Sequence, residues 1–187
     1  KSTAAGSTFT MKLIIQIPCY NEAETLARAL RELPRTMVGF DTVEWLVVDD
    51  GSTDDTIAVA KANGVDHVVS HTKNQGLARA FMTGLDACLQ RGADVIVNTD
   101  ADNQYDARDM PLLVKPILEK RAELVIGARP ISEIRHFPFL KKQLQKLGSW
   151  VVRLASKTDI PDAPSGFRAI SREAAMRLNV FNDYTYT

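Results

Sequence analysis

A chain of 187 residues, 45% hydrophobic and 25% charged, is long enough to bury one sizeable core and has the balance of an ordinary globular domain. Lysine plus arginine and aspartate plus glutamate stand at 23 each, so no net field argues for a nucleic-acid partner. Two cysteines, Cys19 and Cys88, give no disulfide framework and fit a reducing compartment, and His67, His71 and His136 are too scattered for a histidine-based metal site.

Residues 1–10 are small and polar and lack the apolar core of a signal peptide, so they are expected to be an added leader ahead of a natural start at Met11. A first strand is predicted over 12–17, ended by Pro18, and a helix over 22–33 with Leu26, Leu30 and Leu33 at helical spacing. A second strand at 45–48 leads to a helix over 53–62, with Asp54 and Asp55 suited to its first turn. Next come a strand at 67–70, a helix over 76–90 and a strand at 94–98. The helix expected from about 110 has Asp109 as its cap and Pro111 in its first turn, while Pro116 lies deep enough to kink it. A fifth strand is predicted at 123–126, and 167–170 leads to a last helix capped by Ser171. Residues 11–187 read as one domain, expected to stop short of the natural C-terminus because 182–187 supply no closing element. No run of about 18 apolar residues reads as a membrane span.

Alternation of this kind predicts an α/β domain with a mostly parallel sheet, right-handed crossovers and helices on both faces. The only long stretch outside the pattern is 130–164.

Two of the buried strands run straight into aspartate clusters. Trp45-Leu46-Val47-Val48 is followed by Asp49-Asp50-Gly51-Ser52-Thr53-Asp54, and Val95-Ile96-Val97-Asn98 by Thr99-Asp100-Ala101-Asp102. Ligands bind outside the carboxyl ends of parallel strands, so both clusters are expected on one rim. Like charges gathered there need a cation or hydrogen-bond donors, which a divalent metal and a phosphate-bearing ligand would supply. Asp100 and Asp102 are hard oxygen ligands of the kind that suits Mg²⁺ or Mn²⁺ with positions left for substrate phosphates, and Gln104 can add a neutral oxygen. An isolated Asp-x-Asp is more often a solvated turn; the buried strand before it and the second acidic rim favour the functional reading. Tyr20, after the first strand, offers a flat face for stacking a base. Asn74, in Lys73-Asn74-Gln75-Gly76, can contact the ligand or simply build a turn.

Five segments in order carry a family resemblance: Ile17-Pro18-Cys19-Tyr20-Asn21-Glu22, Val47 through Asp54, Asn74-Gln75-Gly76-Leu77-Ala78, Asp100-Ala101-Asp102-Asn103-Gln104 and Ser165-Gly166-Phe167-Arg168. From Met11 to about Leu178 the chain resembles the family 2 glycosyltransferases, and within them the polyprenyl-phosphate sugar transferases, the group of the dolichol-phosphate mannose synthases. That resemblance implies a GT-A fold, a UDP- or GDP-linked sugar donor, a divalent metal and inversion at the anomeric carbon. It implies that Pro18, Tyr20, Glu22 and Asp50 hold base and ribose, that Asp100 meets the ribose or metal side of the donor, and that Asp102 with Gln104 holds the metal. Asp162, Ser165 and Arg168 match the stretch near the acceptor, and Tyr105 stands where family members often carry histidine.

The departing nucleoside diphosphate gains negative charge, which a metal and an arginine offset where it develops. A lipid-phosphate acceptor is already anionic and needs no general base, whereas a saccharide hydroxyl must lose its proton to a carboxylate, for which Asp162 is the candidate. From Arg135 through Lys157 there are six lysines and arginines and no acidic residue, with Leu140, Leu144, Leu147, Val151 and Leu154 at heptad-like spacing. This is the pattern of a basic amphipathic helix for an anionic membrane surface, or equally of a helix docked on the domain with its basic face in water. The expected working place is the cytoplasmic face of a membrane. A transferase acting on a saccharide hydroxyl and a sugar-nucleotide-binding module without turnover are the competing readings. A phosphohydrolase with an aspartate nucleophile is weaker, because Asp49 and Asp50 are adjacent and follow the second strand rather than the first.

Overall fold

The computed structural model describes residues 10–102, 105–127 and 165–178. Within them one sheet contains β1 (Lys12–Cys19), β2 (Thr42–Asp49), β3 (His67–Ser70), β4 (Val95–Asn98), β5 (Leu124–Ile126) and β6 (Arg168–Ser171). The order across the sheet is β3-β2-β1-β4-β6-β5. Strands β1 to β4 run parallel, and β6 is antiparallel to both β4 and β5. The helices are α1 (Ala23–Glu32), α2 (Thr56–Ala62), α3 (Leu77–Gln90), α4 (Met110–Leu118) and α5 (Arg172–Arg177), with a 3₁₀ turn at Ala107–Asp109 before α4.

The apolar runs are continuous because the sheet is covered on both faces. Leu13, Ile15, Ile17, Trp45, Val47, Val95 and Val97 pack with Leu26 and Leu30 of α1, Ala60 of α2 and Leu113 and Val114 of α4. The residues between them, Ile14, Leu46, Val48, Ile96 and Ile170, pack with Phe81, Leu85 and Cys88 of α3 and Ala175 of α5. Period-2 alternation along each strand thus assigns each side chain to one of two cores.

Several boundaries differ from expectation, each for a visible reason. β1 continues through Pro18 to Cys19. Within β1 only Leu13–Gln16 pair with β4, so the missing Pro18 N–H removes nothing from that ladder. α2 begins at Thr56 rather than 53, because the Asp54 carboxylate takes the Thr56 backbone N–H and hydroxyl and holds 53–55 in a turn. Asp109 makes no side-chain cap on α4; Asp106 instead caps the 3₁₀ turn by accepting from Arg108 N at 2.9 Å. Pro116 stays within α4, two residues before its end. Ser171 caps α5 as expected, accepting from Ala174 N at 3.1 Å.

Register brings the strand ends together. Asp50 N donates to Cys19 O, His71 N to Asp49 O and Thr99 N to Gln16 O, so segments 20–22, 50–56, 71–76 and 99–102 share one rim. β6 starts at that same rim because it runs against β4, with Asn98 opposite Arg168.

Candidate active site

Past the ends of β1 and β2, two loops are laced together. Asn21, in the left-handed region at φ 55°, donates from its backbone to Ser52 Oγ at 2.9 Å and accepts from Thr53 N at 2.8 Å. Glu22 N donates to Thr56 Oγ1 at 2.9 Å, and Ala23 N, at the start of α1, donates to Asp54 Oδ2 at 3.0 Å. Hydrogen bonding by Thr56 holds the Asp54 carboxyl below its usual value. The effect is a fixed ledge from which Tyr20 projects at 46% exposure, while Pro18 beneath it is buried. Glu22 is half-buried and accepts from the Thr25 hydroxyl.

The adjacent aspartates divide their work. Asp49 is buried and accepts from Ser52 N at 3.2 Å, closing the turn. Asp50, expected to reach the base, is only 3% exposed, and both its oxygens hold protein donors. Oδ1 takes Gln75 N at 2.9 Å and faces His71 Nδ1 at 2.7 Å, and Oδ2 takes Gly76 N at 2.8 Å. Asn74 is exposed at the edge of that turn, its Oδ1 accepting from Gly76 N at 3.0 Å. The turn lies so close to the Asp49–Ser52 loop that a Cβ at Gly51 (φ 74°) would fall 2.4 Å from the Lys73 carbonyl carbon.

Past β4, Asp100 is half-buried and Asp102 exposed. Among the described residues no three His, Cys, Asp or Glu side chains gather to hold a metal by themselves. Two hard carboxylates one residue apart do fit Mg²⁺ or Mn²⁺ in the form that keeps places for water and phosphate oxygens. Gln104 and Asp162 lie outside the described residues, as does the basic stretch 135–157.

The loop before β6 closes the site from the other side. Gly166 abuts Asp100: a Cβ there would lie 2.5 Å from both carboxylate oxygens. Tyr105 pins this loop, its hydroxyl accepting from Gly166 N at 3.0 Å and its ring stacked on Phe167 at 5.0 Å between centroids. Ser165, expected on the acceptor side, has a different task here. It is fully buried, donates to Gly127 O at 2.5 Å and accepts from Phe167 N at 3.2 Å, so its hydroxyl builds the turn. Arg168 is half-buried; its Nε donates to Ser165 O at 2.6 Å and its guanidinium carbon sits 5.6 Å from the centre of the Phe81 ring.

Sequence reasoning missed the polar core below this loop. Gln16, 0% exposed, donates to Asn98 Oδ1 at 2.8 Å, and Asn98 donates to Gly166 O at 2.6 Å. The available signal was a polar residue inside each of two apolar strands. Cys88 lies beside Gln16, and burial pushes its thiol up to about 12, while Cys19 is raised further by burial and the nearby carboxylates, so neither is a reactive thiol. A cavity of about 600 Å³ between the end of α1 and α4, lined by Pro34, Met37, Val38, Pro111, Val114 and Leu118 among others, contains none of the rim residues.

Comparison with known proteins shows the family and the fold. Residues 14–178 match the family model described as glycosyl transferase family 2. The polyprenol monophosphomannose synthase of Mycolicibacterium smegmatis is 31% identical over 179 residues, covering 91% of this chain and 66% of that protein. The undecaprenyl-phosphate mannosyltransferase of Micrococcus luteus is 33% identical over 176 residues, covering 91% and 70%. Glucosyl-3-phosphoglycerate synthase from Mycobacterium tuberculosis, crystallised with Mn²⁺, UDP-glucose and phosphoglyceric acid, superposes with a TM-score of 0.68 at 25% identity, over 87% of this chain and 57% of that one. The sheet and its helices are thus the GT-A arrangement. The chain spans about two thirds of the curated relatives' length. No described helix is long and apolar enough to cross a membrane.

Proposed function

The chain belongs to glycosyl transferase family 2, and from that premise we propose that it moves a sugar from a UDP- or GDP-linked donor to a polyprenyl phosphate with inversion. The observation that carries this reading is the meeting of the two acidic segments and Tyr20 on one rim, with the Ser165–Arg168 loop pressed against Asp100. Relatives named for polyprenyl-phosphate mannosyl transfer support the acceptor class, and the neighbour crystallised with Mn²⁺ and UDP-glucose supports the donor class.

In this reading Tyr20 stacks on the base, and Glu22 and Asn74 receive the ribose, with Pro18 and Asp50 shaping the pocket wall. Asp100 and Asp102, joined by Gln104, hold Mg²⁺ or Mn²⁺, which when bound neutralises charge on the diphosphate. The acceptor phosphate oxygen attacks the anomeric carbon from the face opposite the diphosphate. As the new bond forms, the bond from the anomeric carbon to the diphosphate oxygen breaks, and its electron pair leaves with the nucleoside diphosphate. An anionic phosphate needs no base, and Arg168 offers it a planar fork that lysine cannot copy. Work at a membrane surface follows from such an acceptor, and the basic sequence 135–157 supports the anionic cytoplasmic face.

Calorimetry with UDP-glucose, GDP-mannose, UDP and GDP, with and without Mn²⁺, tests the donor. Transfer assays then compare a polyprenyl phosphate with a saccharide acceptor. One nucleotide sugar should bind in a Mn²⁺-dependent way that Asp102→Asn abolishes, and the lipid phosphate should be the better acceptor. Equal affinity with and without metal in wild type and variant removes the metal role. A better saccharide acceptor overturns the lipid reading and makes Asp162 the base.

A further inference from the structure

We propose that His71 is a positioning residue of the donor site: it clamps Asp50 in one orientation and through it fixes the Asn74–Gly76 turn. The inference rests on the donor reading above and deepens it. His71 stands one residue past β3, with Nδ1 2.7 Å from Asp50 Oδ1 and Nε2 2.9 Å from Thr83 Oγ1 of α3. The two side chains are 9% and 5% exposed, so water competes little for either.

Hydrogen-bond capacity sets the direction of this chain. Both Asp50 oxygens already accept, Oδ1 from Gln75 N and Oδ2 from Gly76 N, as an ionised carboxylate must. His71 therefore donates from Nδ1. In a neutral imidazole Nε2 is then an acceptor, and the Thr83 hydroxyl donates to it. With the ring neutral the order of donation is Thr83 to His71 to Asp50, and a protonated ring would donate to both partners; in either form the two amides of the turn converge on the same carboxylate.

The linkage adds a side-chain tie between the end of β2, the turn before α3 and the body of α3, beside the backbone bonds His71 N to Asp49 O and Ala80 N to Gly76 O. Asp50 follows β2, Gln75 and Gly76 lead into α3, and Thr83 lies two turns along that helix. The two amide bonds alone would let carboxylate and turn move together. The imidazole ties both to the body of α3. Position matters here because Asn74 belongs to the turn and the Asp49–Ser52 loop touches it at Gly51. A shift of the turn would move both walls of the proposed base and ribose pocket, which His71 reaches through Asp50.

His71→Phe removes both hydrogen bonds at similar size, His71→Asn keeps a donor near the Nδ1 position, and His71→Gln keeps a group near Nε2 only. Three measurements are needed: UDP and GDP affinity with Mn²⁺, amide exchange at Gln75 and Gly76, and the imidazole ¹⁵N signature. Hydrogen bonds to charged groups are strong enough that His71→Phe should weaken the nucleotide that binds by about tenfold. It should also speed exchange at Gln75 and Gly76. His71→Asn should restore most of both, and His71→Gln should not; that pair decides the matter if His71→Phe fails to fold. The wild-type imidazole should show the Nδ1–H form. Wild-type affinity and unchanged exchange in His71→Phe, or equal behaviour of the Asn and Gln variants, would overturn the clamp. If neither nucleotide binds the wild type, the donor reading falls; faster exchange in His71→Phe still upholds the clamp, and unchanged exchange removes it.

Discussion

At Gly166 a single missing methyl group decides where a carboxylate stands. An added Cβ would sit 2.5 Å from both Asp100 oxygens, far inside contact distance, and the surrounding backbone has little room to yield. Tyr105 holds Gly166 N from one side and Asn98 holds Gly166 O from the other. The carboxylate must therefore move. Gly166→Ala should fold with a modest loss of thermal stability yet weaken Mn²⁺-dependent UDP or GDP binding by about tenfold or more, since charge-assisted contacts are steep in geometry. Metal-free nucleotide affinity should change little, because the proposed base and ribose contacts lie on the other loops. Titrations of both proteins with and without Mn²⁺ check this, and an unaltered metal effect would show that Asp100 stands clear of the ion. The acidic pair was legible in sequence because a buried strand feeds it. The role of Ser165 was not, because its partner Gly127 lies 38 residues away and only folding brings them together.

At the scale of elements, α3 shows where a propensity argument gives the wrong sign. Gly84 lies in its interior, where alanine would ordinarily stabilise a helix by about 1 kcal/mol. Here a Cβ would lie 2.4 Å from Gln16 Oε1 and 3.0 Å from Val48 Cγ2. The Gln16 amide is held by Asn98 and by Phe81 O, so it cannot swing aside without breaking a buried hydrogen bond. Overpacking of this kind costs about 1–3 kcal/mol, which outweighs the gain in propensity. Gly84→Ala should therefore lower the urea midpoint, by about 1 kcal/mol in net stability, and a higher midpoint would mean that Gln16 has another place to go. The helical spacing of Leu26 and Leu30 and the apolar strands were readable from the chain itself. The shortened start of α2 was not, because Asp54 serves the first turn of α1 as well as its own.

Across the whole molecule, strand–helix alternation made β1 to β4 legible as a parallel set. The antiparallel placement of β6 was not, since no local signal in four residues says which two strands they pair between. That placement carries Arg168 to the rim, so the sheet order itself completes the site. The opposite end of the sheet has its own electrostatic tie. Glu44 on β2 meets Lys12 on β1 at 2.9 Å and His67 on β3 at 2.9 Å, joining three strands through one carboxylate. Burial alone would raise its pKa, but hydrogen bonds from His67 and Lys12 prevail and hold it below the usual value. Arg108 likewise holds Asp106 at about 2, on an exposed pair. A carboxyl whose pKa is lower folded than unfolded stabilises the fold fully above its unfolded value, near 4, and loses that contribution as pH falls through the folded one. Melting temperature should therefore fall between about pH 5 and pH 2, with this part of the slope absent above that window. Glu44→Gln should flatten the slope measurably, because the tie is partly shielded from water. Asp106→Asn should leave it nearly unchanged, since water and salt screen an exposed pair. Thermal melts across that range for the three proteins test the ranking. A larger effect at Asp106 than at Glu44 would show that acid sensitivity begins beside α4 rather than at the β1–β2–β3 tie.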